Sequence, residues 1–332
     1  MAESRMSRLS NQYHAWTRSH PTAAEDFRTA IEDLLNDAGI IFDRVSTRVK
    51  TWSSLKRKAK KRGEGGDFIY PTPWDDIHDV MGVRVTLYHS TIIPNALDVL
   101  GESFKVVRSV DKAAETRISG GFGYGSHHLV LTVTDDSAAA MEELADFVGW
   151  TFEVQIRTVL QHAWAEFEHD IRYKQGPTPP SPEVDRLFTL AAGLIELADQ
   201  QFDEIAALKA PRTEADTDVE LTPETLPGVL AIILGNRFPL SRSEHYRFLA
   251  EILEANDIRS LDQLEQLLDD DAIAHVHDTM RYRFRPGQVR LIDDLLLNKF
   301  GKQHIEATAE SGDRAGRRRR LNARLKALRA NS

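Results

Sequence analysis

Three groups of residues in this chain have the types and spacing to handle a phosphorylated ligand with a divalent cation. The first is Glu153-Val-Gln-Ile-Arg157. Alternation along a strand sets Phe152, Val154 and Ile156 on one face and Glu153, Gln155 and Arg157 on the other. An acid, an amide and an arginine along one face form a ligand-binding set, although the polar face of an edge strand can hold the same residues. The second group is Asp79-Val-Met-Gly-Val-Arg84, an acid at the entrance to an apolar strand. Magnesium is commonly held by one or two carboxylates together with substrate phosphates, and Asp79 suits that role; a turn aspartate beside a structural arginine is the plainer alternative. The third is a basic run containing Arg44, Arg48, Lys50, Lys56, Arg57 and Lys58, with Ser53 or Ser54 as N-cap of a helix carrying Lys56. A helix N-terminus flanked by lysines binds phosphate through its free N–H groups and dipole. A solvated basic helix face is the competing interpretation.

A glycine-rich loop, Ser119-Gly-Gly-Phe-Gly-Tyr-Gly-Ser-His-His128, adds a fourth group. Its glycines permit close backbone approach. Tyr124 can stack on a base, and Ser126 and His128 can hydrogen-bond to the base or its sugar. The loop lacks the Gly-x-Gly-x-x-Gly pattern in a βαβ setting, and no Gly-Lys-Ser/Thr follows it, which argues against a dinucleotide fold and a Walker loop.

The elements that must position these groups follow from hydrophobic periodicity. Phe27, Ile31, Leu34, Leu35 and Ala38 mark a helix. Ile41, Val45 and Val49 are assigned to a second helix, which puts Arg44 and Arg48 one helical turn apart. Strands are expected at 83–88, 105–110, 128–134 and 150–157, and helices at 93–100, 138–148, 159–173 and 184–208. Trp164, Phe167 and Ile171 form the expected core stripe of the 159–173 helix. The pattern is that of an α+β fold, a mixed sheet of about five strands flanked by helices, followed by a helical C-terminal domain. Boundaries are set at 1–210 for the α+β domain, 211–225 for a polar linker, 226–307 for the helical domain and 308–332 for a basic tail.

With 332 residues and 41% hydrophobic content, one large or two modest domains with packed cores are expected. The net charge of −9 excludes a general nucleic-acid coat. Charge is uneven, and the basic tail could hold RNA phosphates. There is no cysteine, so disulfides and thiolate metal sites are excluded. The N-terminus has no apolar signal core, and the most apolar stretch, Leu226–Leu234, falls short of the roughly 20 residues a bilayer requires. A soluble, cytoplasmic protein with no membrane partner is expected.

Taken in order, the motifs Arg48-Val-Lys50, Ser53 to Lys56, Asp79 to Arg84, Gly123 to His128, Glu153 to Thr158 and Trp164 to Tyr173 resemble those of the RelA/SpoT-type (p)ppGpp synthetase family. The resemblance covers roughly residues 25–205. It implies a nucleotidyltransferase-like synthetase domain that moves the β,γ-diphosphate of ATP to the 3′-hydroxyl of GDP or GTP, with GMP also open as acceptor, in the stringent response. It implies Mg2+ held by Asp79 and Glu153, which are also the catalytic acids. It implies ATP contacts from Arg48, Lys50, Ser54, Lys56 and Arg84, with the two arginines sandwiching adenine. Acceptor contacts are implied for Tyr124, His128, Lys112, Gln155 and Arg157. Gly120 and Gly125 stand where many small members carry basic residues, so the acceptor preference stays open. A small stand-alone synthetase without a hydrolase module is expected, in a family whose small members form homo-oligomers. Two alternatives belong to other classes: toxin-like pyrophosphorylation of the tRNA 3′ end, and a non-catalytic nucleotide- or RNA-binding regulator.

Overall fold

The computed structural model describes residues 4–112, 126–174, 181–208, 220–312 and 316–330. They fall into two compact units, one comprising residues up to Asp33 with Phe42–Ala206, the other Leu34–Ile41 with the chain from Ala207 onward.

The first unit is built on a mixed five-stranded sheet in the order β1-β2-β5-β4-β3. Its strands are β1 (Phe42–Val49), β2 (Met81–Leu87), β3 (Lys105–Asp111), β4 (His127–Thr132) and β5 (Thr151–Thr158). Every neighbouring pair is antiparallel except β2 and β5, which run parallel. Around the sheet lie α1 (Arg5–Ser19), α2 (Ala23–Asp37), α3 (Trp52–Ala59), α4 (Pro73–Asp76), α5 (Ile93–Ser103), α6 (Asp135–Ala140), α7 (Val159–Lys174) and α8 (Pro182–Leu208).

Strict alternation gives this sheet two unlike faces. Val83, Val85, Leu87, Leu129, Leu131, Phe152, Val154 and Ile156 are all buried. Phe27 of α2 packs against this face, set edge-on to Phe152 at 4.8 Å and to Phe147 at 5.0 Å. Phe104, just past α5, meets Phe152 at 5.2 Å. The intervening positions of β2 and β5 are polar apart from Gly82 and, with His128 and the buried Val130 of β4, form the opposite face.

Three expectations are corrected. The residues Ile41, Val45 and Val49 do not make a second helix; Phe42–Val49 is strand β1, paired along its length with β2. Polar and β-branched residues alternate there, and the ladder to β2 satisfies backbone groups that a short isolated helix would leave open. Phe167 is not in the core but 55% exposed, while Trp164 packs edge-on to Phe188 of α8. The expected helix at 138–148 is instead α6 followed by a tighter turn, Glu142–Phe147. Helix α1 is an addition to the expected elements. Its Leu9 and Tyr13 are buried with Leu55 and Ala59 of α3 and with Ile77 and Val80.

The second unit contains α9 (Leu226–Leu234), α10 (Ser243–Glu254), α11 (Leu261–Leu267), α12 (Asp270–Met280), α13 (Gln288–Phe300), α14 (Lys302–Thr308) and α15 (Arg317–Ala330). Its core gathers Leu230, Tyr246, Leu249, Ile252, Leu264, Val276, Leu291 and Leu296. Buried in it are two acids of α13. Asp293 receives Arg317 at 2.6 Å, Arg324 at 2.5 Å and His304 at 3.1 Å; Asp294 receives Arg290 at 2.7 Å, Arg324 at 2.8 Å and the Tyr282 hydroxyl at 2.6 Å. Burial alone pushes the Asp293 pKa up, but Arg324, His304 and Arg317 reverse this and hold it well below the usual carboxylate range. Arg317–Ala330, expected as part of a basic tail, is therefore a helix whose Arg317 and Arg324 are turned inward. Asp37, at the end of α2, also pairs with Arg290, and its carbonyl accepts the Gly287 N–H at 2.8 Å. No described helix is long and apolar enough to cross a membrane.

Phe27→Ala should lower unfolding free energy by about 3–5 kcal/mol, the usual cost of emptying a buried aromatic site. Phe167→Ala should stay within about 0.5 kcal/mol. Equilibrium denaturation of both variants checks the assignment of inside and outside.

Candidate functional site

Cross-strand register brings the chemistry-bearing residues together. Arg48 of β1 lies opposite Gly82 of β2, which lies opposite Glu153 of β5. One step along, Ser46, Arg84, Gln155 and His128 form a second row across four strands, and Thr86 faces Arg157 in a third. Directly opposed residues share a sheet face, so Arg48, Arg84, Glu153, Gln155, Arg157 and His128 all project from the polar side. Gly82 leaves a gap in the first row between Arg48 and Glu153. A methyl group there would make ordinary contact with Arg48 Cγ and the Arg48 carbonyl oxygen, both at 3.9 Å, so close packing does not demand a glycine.

Asp79 lies just before β2. Lys50 Nζ and Lys58 Nζ both approach its Oδ2 at 2.9 Å. Lys50 is fixed at the end of β1 by its own backbone N–H, which donates to the Val80 carbonyl at 2.8 Å. Lys58 comes from α3, whose buried Leu55 and Ala59 set the helix's rotation. The other carboxylate oxygen, Asp79 Oδ1, is buried and has no hydrogen-bond partner. An unsatisfied anionic oxygen is costly without a cationic ligand. Lys56, by contrast, is exposed on α3. Ser54 and Lys58 are one helical turn apart on the same flank, a spacing that marks Lys58 rather than Lys56 as the partner of Ser54. The N-cap of α3 is Thr51, not Ser53 or Ser54, and its hydroxyl donates to Ser54 Oγ at 3.1 Å.

Glu153 sits among donors. His128 Nδ1 is 3.1 Å from Oε1, and Gln155 Nε2 donates to the same oxygen at 2.7 Å. Burial pushes its pKa up, but the hydrogen bonds from His128 and Gln155, with the charges of His128 and Lys58, win and hold it at about 2. Because the carboxylate is ionised, His128 Nδ1 is the donor, and the Ser126 hydroxyl lies 2.6 Å from Nε2. The hydroxyl end of this relay is buried at 5% exposure, whereas the Glu153 side chain keeps 18%. The carboxylate is the open end. The charge of Lys58 acts on Glu153 while its ammonium pairs with Asp79, so the two acids flank one lysine.

Arg84 is held from α7. Its Nη1 donates to Glu166 Oε1 at 2.8 Å and to His162 Nδ1 at 3.4 Å, and its Nε is buried without a partner. Burial, then the charge of Arg84, lowers the His162 pKa, so its ring is neutral beside the guanidinium. Arg157 Nη2 reaches Gln155 Oε1 at 3.4 Å. Burial and the charges of Arg84 and Arg48 lower the Arg157 pKa, with Glu166 and Glu153 opposing. The Lys112 backbone N–H donates to the Ser126 carbonyl at 3.2 Å, at the base of the glycine-rich loop. Tyr124, with the other loop residues from 113 to 125, lies outside the described residues.

Sequence reasoning counts Lys58 only as a member of the basic run, with no contact of its own, and overlooks His162 and Glu166 as the holders of Arg84. The latter two are one turn apart on α7, a spacing visible in the sequence but without an evident target until β2 is placed under them.

Asp79 and Glu153 fit a divalent cation by donor type, and the orphaned Asp79 Oδ1 is the atom available to it. Among the described residues no cluster of three or more acids or histidines could cage an ion. Such a cation would share its coordination with ligand phosphates and water, the habit of magnesium. The surrounding arginines and lysines suit a polyphosphate.

The ionisation of Glu153 is testable in the nucleotide-free protein. Its depressed pKa contributes stability above the ordinary carboxylate range, which is lost as pH falls through about 2. Carboxyl-carbon NMR should show the Glu153 resonance flat down to about pH 3. In Gln155→Ala the titration should move upward, because burial is then opposed by fewer donors.

Residues 47–178 match the sequence profile described as the region found in RelA / SpoT proteins. GTP pyrophosphokinase YwaC of Bacillus subtilis (strain 168) is 27% identical over 147 residues, which are 44% of this chain and 65% of that protein. GTP pyrophosphokinase YjbM of the same organism is 27% identical over 163 residues, 48% of this chain and 70% of that protein. The chain thus spans 65% and 70% of the length of these two relatives. Among solved structures, small alarmone synthetase 1 from Bacillus subtilis bound to its product pppGpp aligns with a TM-score of 0.47 at 23% identity, covering 60% of this chain and all of that one (100%). The likeness to RelA / SpoT proteins thus rests on residues 47–178, less than half of this chain.

Proposed function

We propose that the first unit is a (p)ppGpp synthetase, a GTP diphosphokinase that moves the β,γ-diphosphate of ATP to the 3′-hydroxyl of GDP or GTP. The observation that carries this reading is a lysine-clamped carboxylate, Asp79, beside an open carboxylate, Glu153, on a face otherwise rich in arginine. Transfer of a phosphoryl-type group asks a protein mainly for positioning and charge neutralisation. Such a face supplies both.

On this reading Arg48 and Arg84 hold adenine between their guanidinium planes, with Glu166 and His162 fixing the plane of Arg84. Lys50, Ser54 and Lys58 take the ATP phosphates, which frees Asp79 from the two lysines. Asp79 and Glu153 are the residues that would hold that ion, which supplies charge neutralisation of the polyphosphate when bound. His128, Lys112, Gln155 and Arg157 serve the guanosine nucleotide, and the resemblance assigns Tyr124 to it as well. Glu153 takes the 3′-hydroxyl proton. With a pKa of about 2 in the free protein it is a weak base. Its low value rests on His128 and Gln155, the same donors assigned to the acceptor. When they turn to the nucleotide, burial prevails and the carboxylate becomes a stronger base. The product places the activity in the stringent response.

The test is incubation of the purified chain and magnesium with ATP and, in parallel, GMP, GDP, GTP or deacylated tRNA. The expected result is AMP release matched by 3′-pyrophosphorylated guanosine nucleotide, abolished by EDTA. No AMP with any guanosine nucleotide overturns the reading, and a product on tRNA alone reassigns the acceptor. Asp79→Ala and Glu153→Ala should each lower the rate by about 100-fold or more in variants that circular dichroism shows to be folded. Lys58→Ala should raise KM for ATP by about 10-fold, and Lys56→Ala should leave it nearly unchanged; the reverse order would restore Lys56 as the phosphate contact.

A further inference from the structure

Arg5, in the first turn of α1, takes no part in the site described above, yet it holds the segment on which Lys58 depends. Beyond α3 the chain runs through Lys60, Lys61 and Arg62 and turns back over Gly63, Gly65 and Gly66. Arg62 and Phe68 pair as an isolated bridge. The Gly63 N–H donates to the Asp67 carbonyl at 2.9 Å, and the Ile69 N–H to the Lys61 carbonyl at 3.1 Å. Arg5 closes the base of this loop. Its Nη2 donates to the Ala59 carbonyl at 3.0 Å and to the Tyr70 carbonyl, and its Nε donates to the Pro71 carbonyl at 3.0 Å. The same guanidinium lies 4.0 Å from the centre of the Phe68 ring. Three carbonyls and a ring call for a planar fork of donors, which arginine has and lysine lacks.

These contacts straddle Lys58. Helix α3 has eight residues, too few to be stable alone, and its last carbonyls have no partner within the helix. Leu55 and Ala59 anchor it against Leu9 and Tyr13 of α1. Arg5 satisfies the carbonyl of Ala59, the residue next to Lys58, and a cation there also suits the helix dipole. On the other side, Tyr70, whose carbonyl Arg5 also holds, sets its ring 5.5 Å from Lys58 Nζ, within cation–π range. A lysine side chain loses much rotamer freedom when it is fixed. The 2.9 Å approach of Lys58 Nζ to Asp79 therefore needs a fixed helix end and a wall beside the ammonium. Arg5 supplies the first directly and the second through Tyr70. We propose that Arg5 is a positioning residue for the polyphosphate clamp, acting through Lys58. The synthetase reading supplies the identity of the phosphates; the link from Arg5 to Lys58 stands on the contacts alone.

The test uses the full chain and a non-hydrolysable ATP analogue with magnesium, so that binding is read without turnover. Calorimetry should show Arg5→Ala weakening the affinity by about 5-fold and Lys58→Ala by about 10-fold. The double variant should bind no more weakly than Lys58→Ala, because a residue that acts through another adds nothing once the other is gone. In turnover, Arg5→Ala should raise KM for ATP and leave kcat within about twofold, a split that general loosening of the fold does not give. Tyr70→Phe, which keeps the ring, should match the parent, and Tyr70→Leu should follow Arg5→Ala. If Arg5→Ala does not fold, Tyr70→Leu against Tyr70→Phe carries the same comparison. The nucleotide-free protein gives a second reading. The charge of Lys58 helps to hold the Glu153 carboxylate down, so Arg5→Ala should move the Glu153 titration upward, as Lys58→Ala does. A folded Arg5→Ala chain with parental affinity and parental Glu153 titration overturns the proposal. Losses that multiply in the double variant do so as well. A chain that does not bind the analogue but shows the coupled titration overturns the synthetase reading and upholds the hold of Arg5 on Lys58; absent binding with an unmoved titration overturns both.

Discussion

Crowding of like charge on one side of a sheet is the constraint around which the first unit is organised. Arg48, Arg84 and Arg157 project from neighbouring strands, and with burial the first two lower the proton affinity of the third. Such a face opposes folding by self-repulsion. The stabilisation comes from the reverse side, where the apolar residues of β2, β4 and β5 are buried and Phe27 of α2 packs against them. The sheet is stable through one face and receptive through the other. An anion that binds the receptive face relieves the repulsion, so ligand binding and fold stability are linked.

The two units treat buried charge in opposite ways. In the helical unit, Asp293 and Asp294 are closed off by arginines, a histidine and a tyrosine, and their role is to pin α14 and α15 to α13. Losing one member there would strand a charge in the core. On the polar sheet face, Asp79 Oδ1 and Arg84 Nε are left without partners, whereas in the helical cluster the orphaned atom is Arg324 Nε and every oxygen of the two acids is paired. The lysines on Asp79 and the donors on Glu153 are partners that a ligand can recruit away. Incomplete pairing at one place and dense pairing at the other separates a binding surface from a structural clasp, although both are made from the same residue types.

Much of this is legible in the sequence, for identifiable reasons. The alternation in β5 is strict because one face is sealed, so the residue pattern alone assigns Glu153, Gln155 and Arg157 to a common side. Strand β1 is mistaken for a helix because Arg44 and Arg48 are four residues apart, a step that preserves the face of a helix and of a strand alike. Only pairing with β2 resolves it. Lys56 stands out over Lys58 when the start of α3 is set at a serine; with Thr51 as cap and Leu55 and Ala59 inward, the rotation brings Lys58 to Asp79. Helix α1 has a polar composition, and its few apolar residues become significant only against α3. The pairing of Arg317 and Arg324 with α13 is invisible locally, since a run of arginines looks the same whether it faces water or buried aspartates.

The single parallel pairing, β2 with β5, has a consequence for how the protein comes into being. Antiparallel neighbours can form from a hairpin as the chain emerges, but parallel strands require everything between them to be folded back first. Asp79 enters at the start of β2 and Glu153 lies on β5, so the two acids are strangers until the last strand of the sheet arrives. A growing chain that has made its first helices, its lysines and its first arginines still has only half a site. The sheet's topology thus acts as a timer, withholding the full set of acids until the sheet is closed.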